Sequence, residues 1–264
     1  MATDPTRTYP SDLPALALRD TVVFPLTLQP LTISRPVSTE AVNRALASDR
    51  LIFLSLQTTD NDDPTANDLK PVGTIAAIRQ MAKAPSGGIH VIVEGLARAH
   101  ADLVSLTGLS LRATVTPQPE QSDRSLEVDA YVRRIQDLVE RAASLSSGLS
   151  QEMRTLVLGI EDPLRLASVR ATLLDLKAAE KQQLLEQHTL IEKLQAVTKA
   201  LDREIALLEL KGKIESAAQQ EMTDAQRQYY LRQQLKAIQE ELGEGEKPEA
   251  QELRQRIADA HLPE

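Results

Sequence analysis

Val72-Gly73-Thr74-Ile75-Ala76-Ala77-Ile78 and Ile89-His90-Val91-Ile92-Val93-Glu94, with Pro85-Ser86-Gly87-Gly88 between them, decide the fold class of this chain. Both runs are short and rich in β-branched residues, which suit a pleated, half-buried surface. The two glycines supply the positive φ that a hairpin turn requires. Outward from this hairpin, Thr21-Val22-Val23-Phe24, Leu51-Ile52-Phe53-Leu54-Ser55-Leu56 and Leu109-Ser110-Leu111-Arg112-Ala113-Thr114-Val115 have the same character and are expected to be strands. One helix interrupts them. After Pro36, Ser38 or Thr39 can cap a segment that places Ala41, Val42, Ala45 and Leu46 on one face. Leu16, Val22, Val23, Phe24, Leu54, Ile75, Ile92 and Val93 are the expected core.

Eleven of the fourteen prolines lie within the first 119 residues, and none occurs between Pro163 and Pro248. Proline removes a backbone donor and blocks helix interiors, so the chain divides into a β-dominated part and a helical part, an α+β protein. From about Gln121 the pattern becomes Leu, Ala, Gln, Glu, Lys and Arg at helical spacing. Helices are expected at 126–144, at 150–159, from Asp162-Pro163 with proline at the first helical position, and from Glu180 onward. The last carries Leu184, Ile191, Leu194, Leu201, Ile205 and Leu208 on a seven-residue register, with Gln187 and Thr198 at weak positions. Gly212 costs it about 1 kcal/mol relative to alanine. Thr223-Asp224-Ala225-Gln226 fits a capping box, so the helix either restarts there or runs through as one rod, the reading preferred here. Such a rod cannot bury itself along its whole length, so part of it projects or pairs with another chain. The expected organisation is a β-rich subdomain at 1–118, a helical bundle at 119–186, a long helix, partly coiled-coil, at 187–243, and a linker at 244–264 after which the chain looks cut.

Composition narrows the function. There is no cysteine, which excludes a disulfide framework, a Cys-ligated zinc site and a thiol nucleophile. The formal charge is -8, and residues 120–264 carry 20 basic and 27 acidic side chains against 10 and 11 before them. Sequence-independent nucleic-acid binding needs clustered Lys and Arg and is not indicated. Neither a secretory signal nor a long apolar run is present, so a cytoplasmic location without a membrane segment is expected. No G-x-x-x-x-G-K-[ST] loop or G-x-S-x-G elbow occurs. His90, His100, His188 and His261 lack metal-ligand spacing, and Asp60-Asn61-Asp62-Asp63 followed by Pro64 reads as a polar turn and not a calcium loop. His90 and Glu94 are expected to form a polar pair on one strand face. A serine with a lysine base has no obligatory spacing and is not selected by any pair here. The residues by themselves describe an interaction module with no catalytic, cofactor-binding or metal residues to assign.

Leu13-Pro14-Ala15-Leu16-Ala17-Leu18-Arg19-Asp20-Thr21-Val22-Val23-Phe24-Pro25 resembles the opening of the N-terminal region of Lon, the ATP-dependent AAA+ protease family. Pro71 to Gln80, Val91 to Ala99, Asp162-Pro163 with Leu166-Ala167, Lys181 to Glu186, and Gln226 to Gly243 resemble its later segments in order, over most of residues 13–243. Two positions depart: Ala17 stands where the family often has proline, and Leu26 where glycine is common, which can alter the first turn. The resemblance implies a LON-type pseudo-barrel, then a helical bundle and a long projecting helix. It implies a role in binding unfolded, damaged or degron-bearing proteins and in organising the homohexamer that delivers them to an AAA+ motor and Ser-Lys protease. ATP and Mg are expected only for the full-length parent, and this chain is expected neither to hydrolyse ATP nor to cut peptides.

Substrate or partner contact is expected from two places. Met81 and Pro85 lead into the Gly87-Gly88 turn and either present an apolar tip or fill a local cluster. Tyr229, Tyr230 and Leu231 form the densest aromatic site of an aromatic-poor chain, with Met222 and Leu235 on the same rod. Adjacent tyrosines on a helix point about 100° apart, so one small core cannot take both. The rival readings are a scaffold that organises the hexamer without touching substrate, and a stand-alone Lon-like binding protein.

Overall fold

The expected hairpin forms and is longer than its apolar runs: β4 (Val72–Lys83) pairs antiparallel with β5 (Ile89–Thr107). The computed structural model describes residues 8–83, 88–120, 125–145, 159–241 and 248–259, so the turn residues 84–87, Pro85 among them, lie outside it. Around the hairpin stand β1 (Asp12–Leu18), β2 (Leu28–Ile33), β3 (Leu51–Leu56) and β6 (Ser110–Pro117), in the order β2-β5-β4-β3-β1-β6. β5 has 19 residues, enough for two partners on one side. Its first half pairs with β2 and its second half with β6, which closes β5, β4, β3, β1 and β6 into a ring. Register shifts at Ile75/Ala76, Ile78/Gln80 and Ala101/Leu103 bend these strands. β1 and β3 alternate between two cores: Leu13, Ala15, Ala17, Leu51 and Phe53 in one, Leu16, Leu18, Ile52 and Leu54 in the other with Ala41, Val42 and Ala45 of α1 (Pro36–Leu46).

Residues 21–24 are not a strand. They are an irregular crossing, although Val22, Val23 and Phe24 are buried as expected. The crossing runs so close over β5 that a Cβ on Gly95 would lie 2.1 Å from the Phe24 carbonyl oxygen. Val22 and Phe24 consequently enter the helical core instead of the ring. Ile92 is half-buried, unlike the remaining expected core residues.

Among the described residues four helices follow in the same unit: α2 (Leu126–Leu145), α3 (Pro163–Leu173), α4 (Ala178–Glu186) and the first part of α5 (Leu190–Glu241). The expected helix at 150–159 falls, but for its last residue, outside the described residues. Asp162 caps α3, its carboxylate accepting from the amides of Leu164 and Arg165 at 2.9 and 3.0 Å. The helix expected from Glu180 onward is two helices, broken at Gln187-His188-Thr189. Thr189 and Glu192 close a capping box there: Glu192 N–H donates to Thr189 Oγ1 and Thr189 N–H to Glu192 Oε2. The seven-residue register thus spans two helices. Leu184, Leu194, Leu201 and Ile205 are buried in the core shared with α2 and α3. Beyond the break α5 is continuous for 52 residues, through Gly212 and through Thr223, whose hydroxyl donates to the Gln219 carbonyl.

The chain forms two compact units divided between Leu208 and Glu209. The described residues of the second are the remainder of α5 and α6 (Pro248–Asp259). Every α5 residue from Leu210 to Glu241 is exposed.

Candidate functional site

Within the first unit an apolar opening lies between the start of β2 and one face of α3. It is a cleft of about 460 Å³ lined by Leu26, Thr27, Leu28, Glu94, Arg165, Val169, Thr172 and Leu173. On the sheet side its geometry comes from the crossing before β2. Leu26 N–H donates to Gly95 O at 2.8 Å, Gly95 N–H to Thr27 O at 2.9 Å, and the Thr27 hydroxyl to Phe24 O at 2.7 Å. That tight turn holds Leu26 at φ 62°, in the left-handed region. A side chain there costs about 1–2 kcal/mol, which glycine avoids. Leu28 follows with 64% of its surface exposed.

The other wall is helical. Arg165, Val169 and Leu173 recur every four residues and so lie along one face of α3, with Leu173 44% exposed. The opposite face buries Leu166, Ala167 and Arg170. Burial pushes the Arg170 guanidinium below its usual range against the pull of Glu204, and burial raises the Glu204 carboxyl. Below the cleft, Lys181 Nζ donates to the Thr172 carbonyl at 3.1 Å, and its own partial burial lowers its pKa. Glu94 is held by Arg79. Leu28 and Leu173 carried no signal in the sequence; Leu26 carried one, because a residue with a side chain stands where glycine is common in the family it resembles.

Met81 lies on β4 opposite Val91 and is 43% exposed. Tyr229 and Tyr230 are 67% and 62% exposed, and Met222, Leu231 and Leu235 are exposed with them. They do not form one patch. At about 100° per residue, Leu231, Leu235 and Ile238 fall on the helix face that carries Leu210 and Ile214, whereas Met222 and Tyr229 share another. Tyr229 accepts at its hydroxyl from Gln233 Nε2 at 3.2 Å. His90 and Glu94 do not pair with each other: His90 Nδ1 meets the Thr32 hydroxyl at 3.1 Å, and Glu94 meets Arg79.

Among the described residues no group of His, Asp or Glu can hold a metal ion, and no helix is long and apolar enough to cross a membrane. A closed ring of strands, a helical bundle with an apolar cleft and a long exposed helix together define an α+β binding module. Residues 12–203 match the model of the ATP-dependent protease La (LON) substrate-binding domain. The chain is 38% identical over 259 residues to Lon protease of Geobacter metallireducens, an alignment taking in 96% of this chain and 32% of that one. It is 37% identical over 265 residues to Lon protease of Escherichia coli K12, over 98% of this chain and 34% of that one. The N-terminal domain of Mycobacterium avium complex Lon protease superposes with a TM-score of 0.62 at 25% identity, over 72% of this chain and 98% of that one. The N-terminal domain protein from Xanthomonas campestris shares the fold, at a TM-score of 0.50 and 17% identity. The chain belongs to the family of LON substrate-binding domains. It spans about a third of the length of the curated relatives it matches.

Proposed function

We propose that this chain is the substrate-recognition and assembly region of a Lon-type ATP-dependent protease. It binds unfolded, damaged or degron-bearing proteins and helps deliver them to a homohexameric motor and protease, in the cytoplasm, with ATP and Mg used elsewhere in the longer protein. Residues 1–118 carry recognition, 119–186 buttress them, 187–243 supply reach, and 244–264 lead onward. The observation that carries this reading is an apolar cleft, flanked by exposed Leu28 and Leu173, in a chain of the substrate-binding family. An unfolded polypeptide differs from its native form by displaying apolar side chains, and concave apolar surface discriminates on that property. The test is an NMR titration with one substrate protein in native and permanently unfolded forms at physiological salt. Shifts from the unfolded form alone, at the cleft, at Met81 or at Tyr229 and Tyr230, support recognition. A folded chain that shifts with neither form removes it.

The second reading, a scaffold within the hexamer, is favoured by α5. Leu210, Ile214, Leu231, Leu235 and Ile238 give it an exposed apolar stripe of the kind that pairs with another helix. Changed oligomeric size with intact substrate binding, on replacing Leu231 and Leu235 by serine, selects that reading.

A further inference from the structure

We propose that the cleft between β2 and α3 receives the C-terminal residue of an unfolded polypeptide, seating its apolar side chain on Leu26, Leu28, Val169 and Leu173 and its terminal carboxylate on Arg165. This rests on the reading that the chain binds unfolded protein, and it names the part of that protein recognised. Charge complementarity carries the choice of occupant. The lining has two charged groups, and Glu94 is already neutralised by Arg79. Among the described residues the exposed guanidinium of Arg165 has no carboxylate partner, leaving one cation beside an otherwise apolar surface. Arg165 and Val169 are one α-helical step of four residues apart, about 6 Å along the axis. A terminal residue presents an apolar side chain and a carboxylate within that span, because one extended residue covers about 3.5 Å. The carboxylate fits the planar fork of an arginine, which takes it bidentately. An internal apolar residue brings only neutral peptide groups to the same place.

Leu26 supplies the second argument. A left-handed turn favours glycine, yet this chain keeps a side chain there, and that side chain lines the cleft. Backbone strain of this kind collects where the residue serves binding.

The test uses the whole chain and two fluorescent peptides of one sequence ending in Ala-Leu-Leu, one with a free carboxylate and one amidated. The free acid is expected to bind about fivefold more tightly at low salt. Arg165→Glu, at an exposed position in the first turn of α3 where an acidic residue suits the helix dipole, is expected to abolish that difference without unfolding the chain. Leu26→Gly is expected to weaken both peptides about tenfold through lost apolar contact. Equal affinity for acid and amide, or a difference that survives Arg165→Glu, overturns the proposal. So does an amidated peptide with an internal Asp next to Leu that binds as well as the free acid, which points to an internal segment. If unfolded protein binds while neither peptide does, the terminal site fails and the general function stands. If nothing binds, both fail.

Discussion

Replacing Glu120 by glutamine should destabilise the first unit more than removing its partner Lys193. The two side chains meet at 2.5 Å, Lys193 Nζ to Glu120 Oε1, with side-chain exposures of 0% and 2%. Arg98 completes the cluster. Its Nε donates to the Gln118 carbonyl at 3.0 Å, and its guanidinium caps the C-terminal carbonyls of Leu185, Glu186 and Gln187 at the end of α4. One carboxylate thus stands between two buried cations that join the sheet, the end of α4 and the first turn of α5. At an effective dielectric near 20, a pair of unit charges about 4 Å apart is worth about 4 kcal/mol. Breaking a buried pair by removing one member costs about 3–5 kcal/mol, because the other charge stays behind. Glu120→Gln leaves two like charges and should cost that amount. Lys193→Met leaves Glu120 with Arg98 still near it and should cost less, about 1–3 kcal/mol. The pair of changes Glu120→Leu and Lys193→Met should return stability to within about 2 kcal/mol of the parent, since apolar replacements avoid the desolvation penalty.

The same cluster sets a pH dependence. Burial, the largest influence, lowers the Lys193 pKa from its ordinary 10.5, while Glu120 pulls it back up. The unfolded chain therefore holds that proton more tightly, and stability rises with pH between the folded value and 10.5. Removing Glu120 lowers the folded value further and widens this window, so the deficit of Glu120→Gln should shrink as pH is raised. The assay is urea unfolding followed by the methyl resonances of Ile135 and Ile205, both buried in the helical core. A Glu120→Gln chain within about 1 kcal/mol of the parent, or a Lys193→Met chain that is the weaker of the two, would refute the account. So would a Glu120→Gln deficit unchanged by pH.

Leu26→Gly should be more stable than Leu26→Ala by about 1 kcal/mol, since both remove the same packing and only glycine relieves the left-handed backbone; thermal unfolding of the two variants side by side measures it. Asp68 accepts from the hydroxyl and amide of Thr65 and the hydroxyl of Thr59, chiefly the Thr65 hydroxyl, and its pKa lies below the usual 3.8. Its contribution is present above 3.8 and lost as pH falls through the folded value, so Asp68→Asn should flatten the acid limb of a melting-temperature profile. Gly95→Ala should destabilise strongly, because its Cβ meets the backbone of Phe24 and not a flexible side chain; chemical denaturation gives the size.

β3, β4 and β5 were legible because their β-branched runs sit in the buried middle of the ring. β2 was not, for a physical reason visible at Pro30. The bond from Gly95 N–H to Thr27 O sets the alternation along β2, so Leu28, Pro30 and Thr32 turn their backbone groups to the free edge. A strand with one unpaired edge tolerates a proline and polar residues that a central strand rejects. The break before α5 was legible in Thr189-x-x-Glu192 and was masked by apolar spacing that runs across it undisturbed, because α4 and α5 bury Leu184 and Leu194 in one core. For α5 the same spacing gave the correct element and too simple a surface, since Met222 and Tyr229 share a face that Leu231 and Leu235 do not.

The cleft could not be read from spacing, because it joins residues 26–28 to residues 165–173 through the closure of the ring and the docking of α3. What the sequence offered was one local contradiction, a leucine in place of the glycine common at a turn. A turn that needed only its backbone shape would be served better by glycine, which takes φ near +60° without a steric penalty. The leucine side chain must therefore return something that the turn alone does not need, and part of that return is packing, since Leu26 rests against the helical core. Packing and binding are separable at this residue. If Leu26→Gly leaves stability near that of the parent while peptide affinity falls, relieved strain has offset the lost packing and the remaining loss belongs to the cleft. If stability and affinity fall together, Leu26 is chiefly a core residue, and recognition must be carried by Leu28, Arg165 and Leu173.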